Sequence, residues 1–100
     1  MKLGCCRVRF YLHGNGSLKG KRQVVRSMKD RVRNKFNVSV AEIGDQDIWQ
    51  QIQLGIAAVG TDSQYLDGLL QQVVHYLEGL HLAELTDFKT ELIHVGHPHT

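Results

Sequence analysis

The chain has 100 residues, of which 42% are hydrophobic and 22% charged, and its formal net charge is +2. This length suits one domain with one sizeable core, and no apolar run approaches twenty residues, which excludes a transmembrane helix. Arg7 and Arg9 interrupt the apolar start too early for a signal peptide, and two adjacent cysteines make no disulfide framework, so the sequence indicates a cytoplasmic protein.

The charged residues are segregated along the chain. Residues 1–40 hold eleven basic residues against Asp30 alone, a balance of +10, whereas residues 41–100 hold nine acidic residues against Lys89 alone, a balance of −8. A folded chain of this kind can present one strongly basic surface while remaining almost neutral as a whole. The pattern favours a polyanionic partner, and nucleic acid is the polyanion that a small protein most often binds.

The first part of the chain predicts a strand followed by a helix. Polar and apolar side chains alternate over residues 3–13, which is the period of a strand with one buried face. Residues 14–16 end the strand, and Ser17 is a good helix N-cap. The period then becomes helical until about Asn37. The apolar stripe of this helix contains Leu18, Val25, Met28, Val32 and Phe36.

The remainder predicts a hairpin, a second helix and a last strand. The β-branched segment 38–43 and the segment 48–61 are separated by a short turn, which is typical of a hairpin. A helix begins at Asp62 and Ser63, and its leucines recur at helical spacing as far as Leu80. Residues 82–95 predict a peripheral strand, and we expect residues 96–100 to form a disordered tail.

This order of elements predicts an α+β, ferredoxin-like split βαβ fold (βαββαβ) over residues 1–95. The expected sheet has four antiparallel strands in the order 4-1-3-2, with both helices on one face and the other face open. The open face should carry Arg7, Arg9 and Tyr11, with Gln51 and Gln53 beside them. A partly apolar open face is also typical of a homodimer interface.

The most specific surface feature is a row of cations along the first helix. Their spacing of 3, 4, 3 and 4 residues puts them in line beside the apolar stripe. This basic row consists of Lys19, Arg22, Arg26, Lys29 and Arg33. Since Asp30 is the only acid in the helix, the usual alternation of charge is missing. We therefore expect the basic row to contact phosphates, with Lys21, Arg7 and Arg9 assisting.

Two other interpretations of the basic row stay open. It can be a solvated face that serves only solubility, or carboxylates from the hairpin turn can fold back and neutralise part of it. The candidates for that second role are Glu42, Asp45 and Asp47.

Two further segments have weaker functional interpretations. The loop Gly14–Gly16, with Lys19 and Lys21, could seat one phosphate at the helix N-terminus, although it matches neither a P-loop nor a dinucleotide motif. Asp45 and Asp47 could hold Mg²⁺ together with a phosphate, but aspartate is equally a favoured turn residue.

The chain has no recognisable catalytic set. Nothing places a histidine beside a serine or cysteine nucleophile, and His94, His97 and His99 lie near the C-terminus without groups to orient them around a metal. We therefore expect no enzyme, cofactor or metal site. A small phosphate-handling enzyme built on the glycine loop and the aspartate turn is the least favoured hypothesis.

Five segments carry a resemblance to a known family. They are Ser17–Ser27, Arg31–Glu42, Gln46–Gln50, Leu54-Gly55 and Ala58-Val59. They are similar to the YlxP-like family of small bacterial proteins, and the similarity extends over residues 3–95. Gly20 departs from the family, which commonly has a charged residue there, and the adjacent cysteines and the histidine-containing tail are also particular to this chain.

The resemblance implies a ferredoxin-like fold and supplies no catalytic residues. In many bacteria the family's genes lie beside those for a translation initiation factor and a ribosome-binding factor, which implies a link to translation or ribosome assembly. Together with the basic row, this predicts a cytoplasmic, non-enzymatic protein that docks on structured RNA or the ribosome. The alternative is a protein-interaction module with an acidic protein partner, or a homodimer, without any nucleic-acid role.

Overall fold

A computed structural model describes residues 1–96 as six elements in the order β-α-β-β-α-β. The elements are β1 (Lys2–Tyr11), α1 (Leu18–Lys35), β2 (Ser39–Gly44), β3 (Gln51–Gly60), α2 (Ser63–Gly79) and β4 (Glu84–His94). The strands form one antiparallel sheet in the order β2-β3-β1-β4. The ferredoxin-like α+β prediction is therefore confirmed, while most of the expected disordered tail, residues 97–100, lies outside the described residues.

Both helices begin at side-chain caps, Ser17 as predicted for α1 and Asp62 for α2. The Ser17 hydroxyl accepts a hydrogen bond from the backbone N–H of Gly20 at 3.0 Å. The Asp62 carboxylate accepts one from the N–H of Gln64 at 2.9 Å. Each cap satisfies a backbone donor that the first helical turn leaves free, which typically stabilises a helix by about 1 kcal/mol.

The core lies between one face of the sheet and the two helices. The alternation of β1 is confirmed, since Val8 and Phe10 are buried while Arg9 is exposed. Met28 of α1 and Leu70 of α2 are fully buried against the same face. Burial of each large apolar side chain contributes about 1.5–3 kcal/mol, so this two-layer core fixes where α1 lies on the sheet.

The two helices cover different parts of the sheet. Helix α1 packs on β2, whereas α2 packs on β1, β3 and β4. Strand β4 is an edge strand, as predicted. The sequence also predicts that Phe88 and Leu92 face the core, but 39% of each of these residues is exposed, because no further strand covers this edge. None of the helices in residues 1–96 combines the length and apolar character needed to cross a membrane.

Candidate nucleic-acid interface

The basic row lies on the solvent side of α1, and its members form no ion pairs within residues 1–96. Four of its side chains are exposed and that of Lys29 is half-buried. Within residues 1–96, no carboxylate forms an ion pair with any of the five. Glu42 pairs with Lys21 and with no member of the row, yet it lines the same groove as four of them, so neutralisation of part of the row by hairpin carboxylates stays an alternative interpretation.

Four members of the basic row line one groove between α1 and β2. The groove has a volume of about 370 Å³ and is lined by Arg22, Val25, Arg26, Lys29, Asp30, Arg33 and Glu42. The Arg33 guanidinium donates a hydrogen bond to the Val40 carbonyl at 3.0 Å, which holds this cation at the edge of β2. From Lys19 to Arg33 the row extends about 21 Å, at 1.5 Å per residue.

Lys21 is buried, with only 1% of its surface exposed. Its ammonium donates to the backbone carbonyls of Asp45 and Ile48, the latter at 2.9 Å, and lies 3.2 Å from a carboxylate oxygen of Glu42. The expectation that Lys21 assists phosphate contacts is thereby corrected. Its charge points from α1 into the β2–β3 turn, where it holds that turn against the helix.

The sequence contains a signal for this burial. Lys21 fills the gap in the apolar stripe between Leu18 and Val25, at spacings of 3 and 4 residues. A position on that stripe faces the core whatever residue occupies it. A lysine there needs oxygen partners at the end of its side chain, since a buried ammonium without them is very costly.

Arg7 and Arg9 lie on the open face of the sheet, on the opposite side from α1. Their alternation with buried Val8 fixes this placement, and Arg7 lies 3.6 Å from the Asp87 carboxylate. The structure therefore does not bring these two arginines together with the basic row. The residue that Arg7 pairs with, Asp87, belongs to the neighbouring strand β4.

The open face also holds an apolar groove of about 380 Å³. Small side chains form its floor, and the half-exposed Ile43 overlies Gly55, which has no side chain to obstruct it. The lining residues include Cys5, Ala41, Ile43, Gly55 and Ala57. Arg7 borders the groove, and its Nε is buried without a hydrogen-bond partner among residues 1–96.

The aspartate turn, which connects β2 to β3 and contains Asp45 and Asp47, is held by contacts within the protein. Asp45 adopts a left-handed backbone conformation with φ of 57°, and its carboxylate accepts a hydrogen bond from the Gln53 amide at 2.8 Å. Among residues 1–96, no three His, Cys, Asp or Glu side chains are grouped as a metal site would require. The other candidate ligands, His97 and His99, lie outside the described residues.

Comparison with known proteins places the chain in a family. The family model described as "Protein of unknown function (DUF503)" matches residues 3–90. The chain belongs to the DUF503 family. It is 39% identical over 89 residues to a Bacillus subtilis (strain 168) protein named "Uncharacterized protein YlxP", covering 89% of this chain and 97% of that relative. The predicted YlxP-like resemblance is confirmed.

One solved structure similar to this DUF503 chain is that of a SnoaB mutant, a cofactor-independent oxygenase from Streptomyces nogalater. The two share 12% identity at a TM-score of 0.47, with coverage of 98% of this chain and 96% of that chain. At this distance the similarity carries no conclusion about activity.

The sequence of this DUF503 protein predicts that Trp49 lies at the start of the strand over residues 48–61, but β3 begins only at Gln51. This tryptophan lies in the turn before β3, and 46% of its surface is exposed. The Asn15 amide donates to its backbone carbonyl at 2.7 Å, which joins the glycine loop to the β2–β3 turn. In the sequence, Trp49 follows the polar Asp45-Gln46-Asp47 turn and is not part of the apolar alternation that marks the core face. This position indicates an exposed side chain.

Proposed function

We propose that this DUF503 protein is a cytoplasmic, non-enzymatic protein that docks on structured RNA, such as ribosomal RNA, through the basic row of α1. The single observation that carries the proposal is that five aligned cations remain without carboxylate partners among residues 1–96. Like charges three and four residues apart destabilise a helix, and a phosphate chain is a ligand that offsets this repulsion.

The shape of the site supports an extended polyanion. The row is about 21 Å long and has a groove on its β2 side rather than a closed pocket. A single small anion would engage one or two of the cations, whereas a nucleic-acid backbone can engage all five. Contacts of this kind position a protein on RNA without reading its bases.

The number of contacts sets the salt dependence of binding. If five phosphates of a single-stranded segment are engaged, log affinity falls against log salt with a slope of about −3.5, from about −0.7 per contact. The gene neighbourhood implied by the YlxP-like resemblance points to RNA of the translation apparatus. RNA affinity is therefore to be measured with ribosomal RNA fragments and with an unrelated structured RNA of the same length.

The decisive experiment reverses two charges in the middle of the row. Arg22→Glu with Arg26→Glu should lower RNA affinity by more than tenfold and make the salt slope shallower, because each lost contact removes about 0.7 from it. The matched control is Arg9→Glu with Lys89→Glu, which changes the net charge equally on the open face of the sheet. Thermal unfolding verifies that both variants fold.

The control distinguishes RNA binding through the α1 surface from RNA binding driven by the net charge of the protein. The open-face variant should retain most of the affinity, losing only the long-range part that salt screens. Equal losses in both variants would mean that net charge alone drives binding. Unchanged affinity in the Arg22/Arg26 variant would remove the basic row from the mechanism.

A second candidate function has its own observation, the apolar groove on the open face. A self-associating surface or a protein-interaction module fits this groove, and an acceptor from a partner would satisfy the buried Arg7 Nε. Ile43→Asp should then abolish self-association in sedimentation experiments, while Ile48→Asp, at an exposed site in the turn, should not. A monomeric wild-type chain would dismiss the homodimer and leave, as the alternative to RNA, an acidic protein partner that binds the basic helix α1.

A further inference from the structure

We infer that Trp49 stacks on an unpaired base of the bound RNA, at the N-terminal end of the basic row. The inference rests on the proposed RNA contact of α1 and names the kind of RNA that α1 takes. That RNA is one in which a single-stranded nucleotide adjoins the phosphates held by the helix.

The contacts of α1 fix which end of the row Trp49 occupies. Arg33, near the end of α1, bonds to Val40 at the start of β2, whereas Lys21, in the first turn of α1, contacts Glu42 and the following turn. Helix α1 and strand β2 therefore run antiparallel. The turn that carries Trp49 consequently lies beside the first turn of α1, at the Lys19 end of the row.

The turn is held rigidly although its tryptophan is exposed. The backbone carbonyls of residues 48, 49 and 50 each accept a hydrogen bond from outside the turn. The donors are the Lys21 ammonium at 2.9 Å, the Asn15 amide at 2.7 Å and the Leu12 N–H at 2.7 Å. Gly20 has no Cβ, and the Asn15 side chain occupies the space where one would lie.

An exposed aromatic ring on a backbone held by hydrogen bonds offers a stacking surface to a ligand. Trp49 leaves 46% of its surface in water although the backbone around it is fixed by three bonds. Aromatic rings next to a cationic track are the means by which proteins bind single-stranded nucleic acid, because every base has a face that can stack. The cations and the ring together match an RNA strand better than they match a bare polyphosphate.

Trp49 is the only tryptophan of the chain, so its fluorescence reports this contact directly. The titration uses three polyanions with the wild-type protein: a single-stranded RNA of about twelve nucleotides, the same RNA in a blunt duplex, and inorganic polyphosphate. We expect strong quenching by the single strand and little by the duplex or by polyphosphate.

The variants test whether stacking contributes to affinity. Trp49→Ala should weaken binding of the single strand about tenfold, within the range measured for loss of one stacked base, and leave duplex binding unchanged. Trp49→Phe should retain part of the affinity because its ring still stacks. The matched control is Tyr65→Ala, which removes an exposed aromatic side chain from α2, beyond the opposite end of β3.

The outcomes distinguish this inference from the proposed function. If the single strand binds without quenching and Trp49→Ala binds it normally, the inference is overturned while the role of α1 in RNA binding stands. If no RNA binds the wild-type protein, the proposed function fails and the inference fails with it. Because wild-type quenching needs no variant, misfolding of Trp49→Ala would not protect the inference.

Discussion

Lys21 illustrates how one residue connects the helix that carries the site to the turn beside it. Its aliphatic chain occupies a place in the apolar stripe of α1, and its ammonium bonds to two carbonyls and contacts Glu42. The turn needs a donor there because Asp45 and Ile48 otherwise direct carbonyl oxygens toward the helix. The lysine thus joins the basic helix and the Trp49 turn into one rigid unit.

Replacement of this lysine should destabilise the whole protein. Lys21→Met keeps the length of the side chain but leaves Glu42 without its cation and two carbonyls without their donor, so we expect a loss of about 3 kcal/mol in the free energy of unfolding. Urea denaturation measures the loss. Lys19→Met, two residues earlier at an exposed site, should cause no loss. A Lys21→Met protein as stable as the wild type would show that the buried contacts contribute nothing net.

The adjacent cysteines should differ in reactivity because their environments differ. Burial raises the pKa of the Cys6 thiol, and a hydrogen bond from Thr90 opposes this only in part, whereas Cys5 is half-exposed on the open face. Iodoacetamide at neutral pH should therefore modify native Cys6→Ala, which retains Cys5, much faster than Cys5→Ala. Equal rates would contradict the burial of Cys6.

Because the pKa of Cys6 is raised in the folded protein, the free energy of unfolding should depend on pH. The folded state holds the thiol proton more tightly than the unfolded state, so the contribution is fully present below the ordinary thiol pKa of 9.0 and is lost as the pH rises through the higher folded value. Urea midpoints should therefore fall with alkaline pH, and less so in Cys6→Ala. An identical pH dependence in the variant would assign the effect to other groups.

At the scale of elements, the first turn of α1 carries charges that oppose the stability of the helix. Its first turn contains Lys19 and Lys21 and no acid, although the helix dipole favours negative charge there. Lys19→Gln should therefore raise the free energy of unfolding by about 0.5 kcal/mol at low salt, and the gain should disappear at high salt. A gain that persists in high salt would have a cause other than charge. The same variant should bind RNA more weakly, so stability and binding would change in opposite directions.

Sequence periodicity predicts the elements of this fold well and its turns poorly. The alternation around Val8 and the helical stripe through Met28 depend on local spacing alone, and both are confirmed. The burial of Lys21 depends on its hydrogen bonds to Asp45 and Ile48, which lie 24 and 27 positions further along the chain. No local sequence pattern contains these contacts. For the same reason the basic row could be located from its spacing, but not the rigid position of Trp49 beside it.

The whole molecule is electrically polarised across the width of the sheet. The basic helix α1 packs on β2, and β4, which carries Glu84, Asp87 and Glu91, forms the opposite edge. The acids of β4 thus lie at the far edge of the sheet from the basic helix, while Glu42 and Asp45 lie beside that helix. Such a field orients a protein as it approaches a polyanion, with α1 leading and β4 directed away.

This polarity should control the rate of RNA association separately from the contacts that keep the complex together. Glu84→Lys with Glu91→Lys adds positive charge at the edge opposite α1, and we expect association in stopped-flow experiments to accelerate severalfold at low salt, with dissociation unchanged. The exposed His13–Glu84 pair is lost but contributes little to stability.

Glu84→Gln with Glu91→Gln makes half the change in charge and should give a smaller acceleration. Both accelerations must vanish at high salt, since these side chains touch no RNA in the proposed complex. A slower dissociation in the lysine variant would instead mean that RNA contacts β4, and the proposed orientation would be wrong.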